Sequence, residues 1–527
     1  MSFLGRGNTE VLSVRHRVID AYKASQTEVV APTLEESSLP RALDRWTTWW
    51  LNTPIDRYLR PALLTIYAVA MGVAAWHHEP WVDEAQAWLL ARDANPIRLV
   101  TKLLAYEGHP GLWYLVLMLP ARLLPYRALN LISGVAAGWA AYLVVRRSPF
   151  PIIVKVLLPF TFFLFFQYGV VARNYALLPG TLFLVAIAYR DSLTRPYKFA
   201  GLLFLLANVS VHGFLMAAAI AGITFMRVVS GRFPLTGDLR KANLLALAAL
   251  GMGMAIVALI MRPPADRDFA RPRTGTLIGR VLRAAVDMST NGWAGSRLLL
   301  VLILMASLVF FWRARVLWLW LLPAAAIIVF SELVYGSPWH EGILFLGWIF
   351  ALWVGLERFE RRDPVDAWIR PAILTALLVV CAIQVSWTVA SVRADFVGPY
   401  SGSKALAEYI KERSLERRVI YGIAFPSMAV LPYFEGNIYD NYHAGEKPSY
   451  WDWSSRNDMI IDPAEIERHR PDYIVVPLKA AGAEDFLKQF PSYRQESVFQ
   501  GALLWKTGGL EPDVYVLLRR ADLLPRK

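Results

Sequence analysis

The chain has 527 residues, 56% of them hydrophobic and only 18% charged, against about 25% charged in a typical soluble domain. Repeated apolar runs of roughly 17 to 22 residues supply the length that a bilayer span needs, which excludes an ordinary soluble protein. The formal charge of +13 reads as inside-facing anchors plus phosphate-binding arginines, not as a nucleic-acid surface.

Residues 1–60 read as a cytoplasmic tail ending in an interfacial helix. Trp46, Trp49 and Trp50 stand among Arg41, Arg45, Arg57 and Arg60, the pattern of headgroup tryptophans beside inside-facing arginines. Residues 61–392 read as the membrane domain. A first span over 61–76 leads into an exterior loop over 77–110. Spans follow over 111–124 and 129–145, with Arg122 and Arg127 marking a cytoplasmic turn between them. An aromatic-rich span over 151–166 is interrupted by GVVARNYAL, and a further apolar run ends at Tyr189. Residues 199–226 are too long for one straight span and contain Asn208, His212 and Gly213, so two short helices or a broken one are expected. A span over 243–261 precedes the longest internal hydrophilic loop, 262–296. Further spans are expected over 298–312, 316–335, 343–356 and 372–390.

This is the pattern of a polytopic α-helical membrane protein with about eleven or twelve spans. If every segment crosses, Arg146 and Arg147 fall outside, against the positive-inside rule. A re-entrant segment between 152 and 226 would resolve the conflict, and an odd count places the C-terminus outside. The single cysteine, Cys381, lies in an apolar run, so no intramolecular disulfide can form. From residue 393 the composition turns soluble. A helix is expected over 403–413, strands over 418–423 and 472–478, a helix over 483–489, and strands over 498–506 and 514–519. Residues 393–527 therefore read as a small extracytoplasmic α/β domain, large enough for its own core.

The residues that carry chemistry gather at the exterior boundaries. Asp83 and Glu84 open the helical run AQAWLLA. Asp83 and Gln86 fit a capping box, and a carboxylate fixed at a helix start also suits a general base. Glu84 is placed to hold an acceptor, bind a cation or face water. Glu107-Gly108-His109-Pro110 closes the loop, where Gly108 admits close approach to the backbone and His109 can donate to a phosphate or bind metal. His77, His78, Glu79, Asp83 and Glu107 lack the tight spacing of a metal site, so a divalent cation, with Glu84 and His109 as ligands, is left open. Arg173 lies between two apolar runs, where an unpaired guanidinium is costly. It reads either as a snorkelling side chain or as a phosphate clamp, with Tyr168 and Tyr175 beside it. The 262–296 loop carries Arg271 and Arg273 among six arginines, unusual for an exterior loop. His340 and Glu341 stand at another exterior boundary.

A first exterior loop with Asp-Glu before AQAW and LAR, then EGHPGLWYL, and ARNYAL after an aromatic-rich span, resembles the integral-membrane GT-C glycosyltransferases. The likeness is best over roughly 60–230 and is nearest in flavour to the bacterial relatives of protein O-mannosyltransferases and the lipid A aminoarabinose transferase. It implies an inverting transferase on the periplasmic face of a bacterial inner membrane, taking sugar from a polyprenyl-phosphate donor to a glycan, lipid or protein hydroxyl. It also implies that Asp83 is the catalytic carboxylate, with Glu84 its acidic neighbour. Donor-phosphate contacts are expected from Arg173, His109, Tyr175 and His340. Glu107, Arg271, Arg273 and Glu341 are candidates on the acceptor side, and no cofactor is implied beyond the divalent cation left open above. Two competing readings are a lipid-linked oligosaccharide flippase, which would place ionisable groups near mid-bilayer, and a polysaccharide polymerase or ligase centred on the 262–296 loop.

Overall fold

A computed structural model describes residues 56–231, 234–266, 276–360, 362, 364–442, 448–454, 457, 459–478 and 488–523. The expected N-terminal tail and most of its interfacial helix lie outside the described residues, as does most of the helix expected over 483–489. Among the described residues, seven helices are long and apolar enough to cross a bilayer. These are α1 (Asp56–His77), α4 (Ala128–Arg147), α5 (Ile152–Val170), α8 (Val211–Val229), α9 (Gly237–Ile260), α13 (Pro338–Arg358) and α14 (Asp366–Val397). Shorter apolar helices are α3 (Leu112–Leu123), α6 (Asn174–Tyr189), α7 (Pro196–Ala207) and α12 (Leu317–Leu333). A helix pair, α10 (Leu277–Trp293) and α11 (Arg297–Arg313), is bent by 92°. The remaining helix of the first loop is α2 (Val82–Asp93). Helices solve the bilayer problem because each satisfies its own backbone polar groups where water cannot. Their outward faces carry bare apolar side chains such as Ile66, Val69, Val73 and Val135.

The segment expected as a second span does not cross. It is α3, a helix of 12 residues held at the loop end of the bundle by contacts at both of its ends. It lies beside α2 and runs the same way. Tyr114 and Gln86 meet on Glu107 at one end. At the other end Arg122 donates to the carbonyls of Arg92 and Ala94. Arg122 is thus bound on the loop side and marks no cytoplasmic turn, and Arg127 likewise lies over the Trp76 ring. The chain then returns through α4, antiparallel to α1, with Asn130 Nδ2 donating to the carbonyls of Ala75 and His78.

With α3 removed from the crossings, the parity conflict disappears without a re-entrant segment. Helix α5 climbs back to the loop end, where Ser133 Oγ donates to the Gly169 carbonyl at 2.7 Å. Helix α6 descends past Trp139 to Tyr189. Arg227 and Arg358 both lie over the Tyr189 ring, and Arg313 pairs with Asp366. The arginines at helix turns therefore collect at the end opposite the loop, and Arg146 and Arg147, closing α4, join them. The expected break in 199–226 is present: α7 stops at Ala207, and Ser210 caps α8 by accepting the Gly213 N–H.

The hydrophilic loop expected over 262–296 is shorter than its sequence suggested. From Leu277 it is helix α10, capped by Thr276 and apolar along one side. It lies at the loop end of the bundle, with Arg280 on Glu332 at 3.5 Å and Gln384 donating to the Gly292 carbonyl. Arginine-rich composition hid an amphipathic helix whose polar face holds the charges.

The last membrane helix, α14, delivers the chain to the loop end, where His77 stacks on Phe396 at 4.1 Å. Beyond it, α15 (Ser403–Glu412) precedes a four-stranded sheet in the order β1-β2-β6-β3. Strand β1 (Ile420–Gly422) runs parallel to β2 (Tyr473–Leu478), and the crossover between them holds a short helix, α16 (Pro463–His469), that the sequence did not signal. Strands β2 and β3 (Tyr493–Phe499) each pair antiparallel with β6 (Val514–Arg520). The single strand expected over 498–506 is two: β3 ends at Phe499, and a hairpin of β4 (Ala502–Trp505) and β5 (Gly508–Pro512) follows. Gly501 makes that turn possible, since a Cβ there would stand 2.4 Å from the Gly402 nitrogen.

The hairpin plugs into the bundle. Trp505 packs against Phe162, Phe163 and Trp339 with ring centroids 5.2 to 5.9 Å apart. Lys506 Nζ reaches the Glu341 carboxylate at 3.3 Å. The C-terminal sheet is therefore fixed on the same end of the bundle as the 77–110 loop. Cysteines placed at Leu124 and at Arg147 should report from opposite sides of the membrane. An impermeant maleimide on sealed vesicles, with the native Cys381 buried, is expected to label only one of the two from a given side. Labelling of both from one side would contradict this path.

Candidate functional site

Helix α2 begins two residues earlier than the capping-box spacing suggests. Trp81 is the N-cap, and Glu84, three residues on, accepts the Trp81 N–H at 3.1 Å. Asp83 is therefore not the cap. It stands in the first turn, where the helix N-terminus favours a negative charge, and its side chain is left for other work.

Glu84 points into the protein, which corrects the expectation that it holds an acceptor, binds a cation or faces water. It is fully buried. One oxygen accepts the Ala172 N–H at 2.5 Å, and the other takes Trp81 N and lies 3.3 Å from His78 Nε2. His78 Nδ1 lies 3.1 Å from Asp395 at the end of α14. Burial alone would push the His78 pKa down, but the charges of Asp395 and Glu84 outweigh it and raise it to about 10. His78 is thus a buried cation between two carboxylates, joining the first loop to the last membrane helix.

What Glu84 holds is the turn that bears Arg173. The end of α5 is a π-helix, Phe163–Val170, and α6 opens with a 3-10 turn, Asn174–Ala176. In the break between them the Val171 and Arg173 N–H groups find backbone carbonyls, while the Ala172 N–H is satisfied by a side chain, Glu84. Breaks of this kind often mark functional positions. Arg173 leaves the break toward α2 and meets Asp83 at 3.0 Å. Its guanidinium also lies 5.9 Å from the Trp81 ring and 5.5 Å from the Tyr175 ring. Burial works against its charge, but Asp83 and the surrounding anions and phenols more than compensate, so it stays a cation.

Asp83 and Arg173 border a cavity of about 680 Å³ between the bundle and the C-terminal sheet. Its bundle wall includes Asn174, His212, Tyr335 and His340, and its loop wall includes Gln86, Glu107, His109 and Trp113. The C-terminal domain supplies Phe425, Trp453, Leu510 and Glu511. Glu107 accepts from Gln86 at 2.9 Å, from the Trp453 indole at 3.2 Å and from Tyr114 at 3.2 Å. Burial raises its pKa, and these three bonds oppose the rise only in part. Gln86 also exchanges hydrogen bonds with the backbone of Trp451. One loop helix therefore orients the base candidate on one turn and clamps the C-terminal domain on the next.

Of the expected site residues, Asp83, Glu107, His109, Arg173 and His340 come together around the cavity. Tyr175 is buried behind its wall, within 5.5 to 6.3 Å of Arg173, His109, His212 and His340. Glu341 does not line it; its carboxylate is taken by Asn291 and Lys506, so it anchors the hairpin. Arg271 and Arg273 lie outside the described residues. Among the described residues, no group of three or more His, Cys, Asp and Glu is placed to hold a metal ion, and Glu84 and His109 do not share a site. Sequence reasoning passed over Asn174 and His212. The signal was there for His212, an ionisable residue inside an apolar run just after a capping serine. Nothing local marks Gln86 or Asp395, whose roles exist only through contacts more than 300 residues away.

Compared with known proteins, the chain matches no family model, no curated protein and no solved structure.

The His78 cation gives a pH signature. Its folded-state pKa is raised, so its contribution to stability is complete below about 6.5, the ordinary histidine value. That contribution is lost as pH rises through about 10. Thermal unfolding in detergent should therefore fall between those values in wild type. In His78→Gln, which leaves two buried carboxylates without their cation, a loss of roughly 3–5 kcal/mol is expected, with a flatter profile over the same range. Equal pH profiles for the two proteins would rule the strut out.

Proposed function

We propose that this protein is an integral-membrane glycosyltransferase of the GT-C kind, moving a sugar from a polyprenyl-phosphate donor to an acceptor hydroxyl with inversion. The observation that carries the reading is the Asp83–Arg173 pair, 3.0 Å apart on the border of the cavity. It offers a proton acceptor and a bidentate phosphate ligand at one point. A transporter would need its ionisable groups along a path through the bundle, whereas here they collect at one end. That end is opposite the arginine-rich turns, which supports a periplasmic active site in a bacterial inner membrane under the positive-inside rule.

The chemistry follows from the pair. The acceptor oxygen attacks the anomeric carbon from the face opposite the phosphate. As the new C–O bond forms, the proton passes to Asp83, and the bond from the anomeric carbon to the phosphate oxygen breaks with its electrons going to the phosphate. The lipid phosphate is a good leaving group and needs no strong acid, but its growing charge needs a partner. Arg173 supplies a fixed fork of N–H donors for it. Without donor, Arg173 is engaged on Asp83. A donor phosphate draws the guanidinium toward itself, which leaves Asp83 oxygens for the acceptor hydroxyl. The apolar helices beside the cavity suit the prenyl chain, and the acceptor, whether glycan, lipid or protein, enters toward the C-terminal domain.

Loss of the base should cost roughly 10²–10⁴ in rate. The assay is sugar transfer in membranes from a panel of radiolabelled polyprenyl-phosphate sugars. Asp83→Asn is expected to lose turnover while still binding donor. Arg173→Lys, which keeps the charge but not the fork, is expected to raise KM for donor as well. Wild-type rates in a well-expressed Asp83→Asn protein would sink the assignment.

A further inference from the structure

Behind Arg173 the cavity has a polar pocket that the phosphate clamp does not use. Asn174, His212 and His340 line it and are only 6%, 0% and 2% exposed. They come from the starts of three different helices, α6, α8 and α13. The His212 and His340 rings lie 4.3 Å apart, centroid to centroid. Asn174 Nδ2, both ring nitrogens of His212 and His340 Nδ1 are buried with no hydrogen-bond partner among the described residues. Buried polar groups are rarely left this way, and each such group costs about 1–3 kcal/mol. Four orphaned atoms on three residues that line one cavity point to a ligand that completes the bonding.

The chemistry of the lining narrows the ligand. A neutral imidazole has one donor and one acceptor nitrogen, and an amide offers both kinds. A hydroxyl also gives and takes a hydrogen bond, so a polyol matches this set better than a carboxylate or an ammonium. Three of the four charged groups of the lining are engaged elsewhere, and the fourth, Glu511, stands on the C-terminal hairpin at the other wall. With donor bound, Arg173 is taken by the phosphate and Asp83 by the acceptor hydroxyl, and Glu107 is held by Gln86, Tyr114 and Trp453 on the loop side. Phe330 and Val211 supply apolar surface beside the two imidazoles. We infer that the Asn174–His212–His340 pocket holds the sugar ring of the donor and selects an uncharged, hydroxyl-rich sugar over an amino sugar or a uronic acid. This rests on the glycosyltransferase reading, because it places the ring next to the phosphate bound by Arg173.

The test uses the full-length protein in detergent with short-chain prenyl phosphates carrying glucose, mannose, galactose, arabinose, glucosamine or glucuronate. Release of prenyl phosphate is measured, with membrane extract as the source of acceptor. Wild type is expected to consume at least one neutral-sugar donor about tenfold or more faster than either charged one. His212→Ala and His340→Ala should lower kcat/KM for that donor and flatten the preference. His212→Gln, which keeps a donor and an acceptor, should retain most of the preference and serves as the folding control. His212→Asp should raise use of the glucosamine donor relative to wild type. Equal or faster use of a charged-sugar donor by wild type overturns the inference, as does an unaltered preference in both alanine variants, while Asp83-dependent turnover would leave the transferase reading standing. No release from any donor by wild type overturns both.

Discussion

The buried carboxylate of Glu84 is the constraint on which the site depends. A carboxylate with no exposure is costly unless it is hydrogen-bonded and paired, and here both oxygens are directed at something structural. One oxygen ends the orphan status of the Ala172 N–H, and the other ties the start of α2 to His78. Through His78 the same network reaches Asp395, just before the chain leaves its last membrane helix. Three regions distant in sequence thus share one ionic strut. It fixes the turn that bears Arg173 against the turn that bears Asp83. The two adjacent acids, alike in sequence, divide the labour: one is buried to hold the frame, and its neighbour is left at the cavity.

The helices set the frame in which that strut acts. Most helices carry the chain between two ends, while α2, α3 and α10 are held by their contacts at the end where the cavity forms. Arginine follows the same division. At the far end arginines close the helix turns, while at the cavity end Arg92, Arg122, Arg173 and Arg280 are each bound by a carbonyl or a carboxylate. A guanidinium near hydrocarbon persists only with such partners, so the positions of the arginines record which end is which more reliably than a count of spans.

Much of this was legible in the sequence, for stated reasons. Apolar runs announce helices because the bilayer imposes their length, and Arg173 stood out because a charge between two such runs demands a partner. The short β-branched and apolar runs in 472–478 and 514–519 marked two strands of the sheet. What misled was local equivalence. The stretch 111–124 is as apolar as a span, but its helix ends at Leu123, just before Pro125, and is tied down by Arg122, and burial against another helix reads in composition just like burial in lipid. Asp83 and Gln86 have capping spacing, yet so do Trp81 and Glu84, and only the tertiary demand of Ala172 decides between them. The hairpin of β4 and β5 was missed because its identity comes from Trp505 finding Phe162 and Trp339, which no window of sequence contains.

The cavity therefore has two walls of different origin and different chemistry. The bundle wall gathers Arg173 and the neutral polar groups of Asn174, His212 and His340 at the starts of transmembrane helices, positions fixed by the packing of the spans. The opposite wall is built by the loop and the C-terminal domain, with Glu107 holding the Trp453 indole and Gln86 holding the Trp451 backbone. Groups on the first wall can shift only if helices shift, whereas those on the second can shift with the domain, whose grip on the bundle is the Trp505–Lys506 hairpin. A rigid wall suits a donor whose lipid chain is shared with the membrane and whose geometry at the anomeric carbon must be held. A wall on a separate domain suits an acceptor that arrives from outside and must be released afterwards. Asp83 belongs to the helix that joins the two, which is where a proton acceptor has to stand if it is to touch the acceptor hydroxyl while Arg173 holds the phosphate.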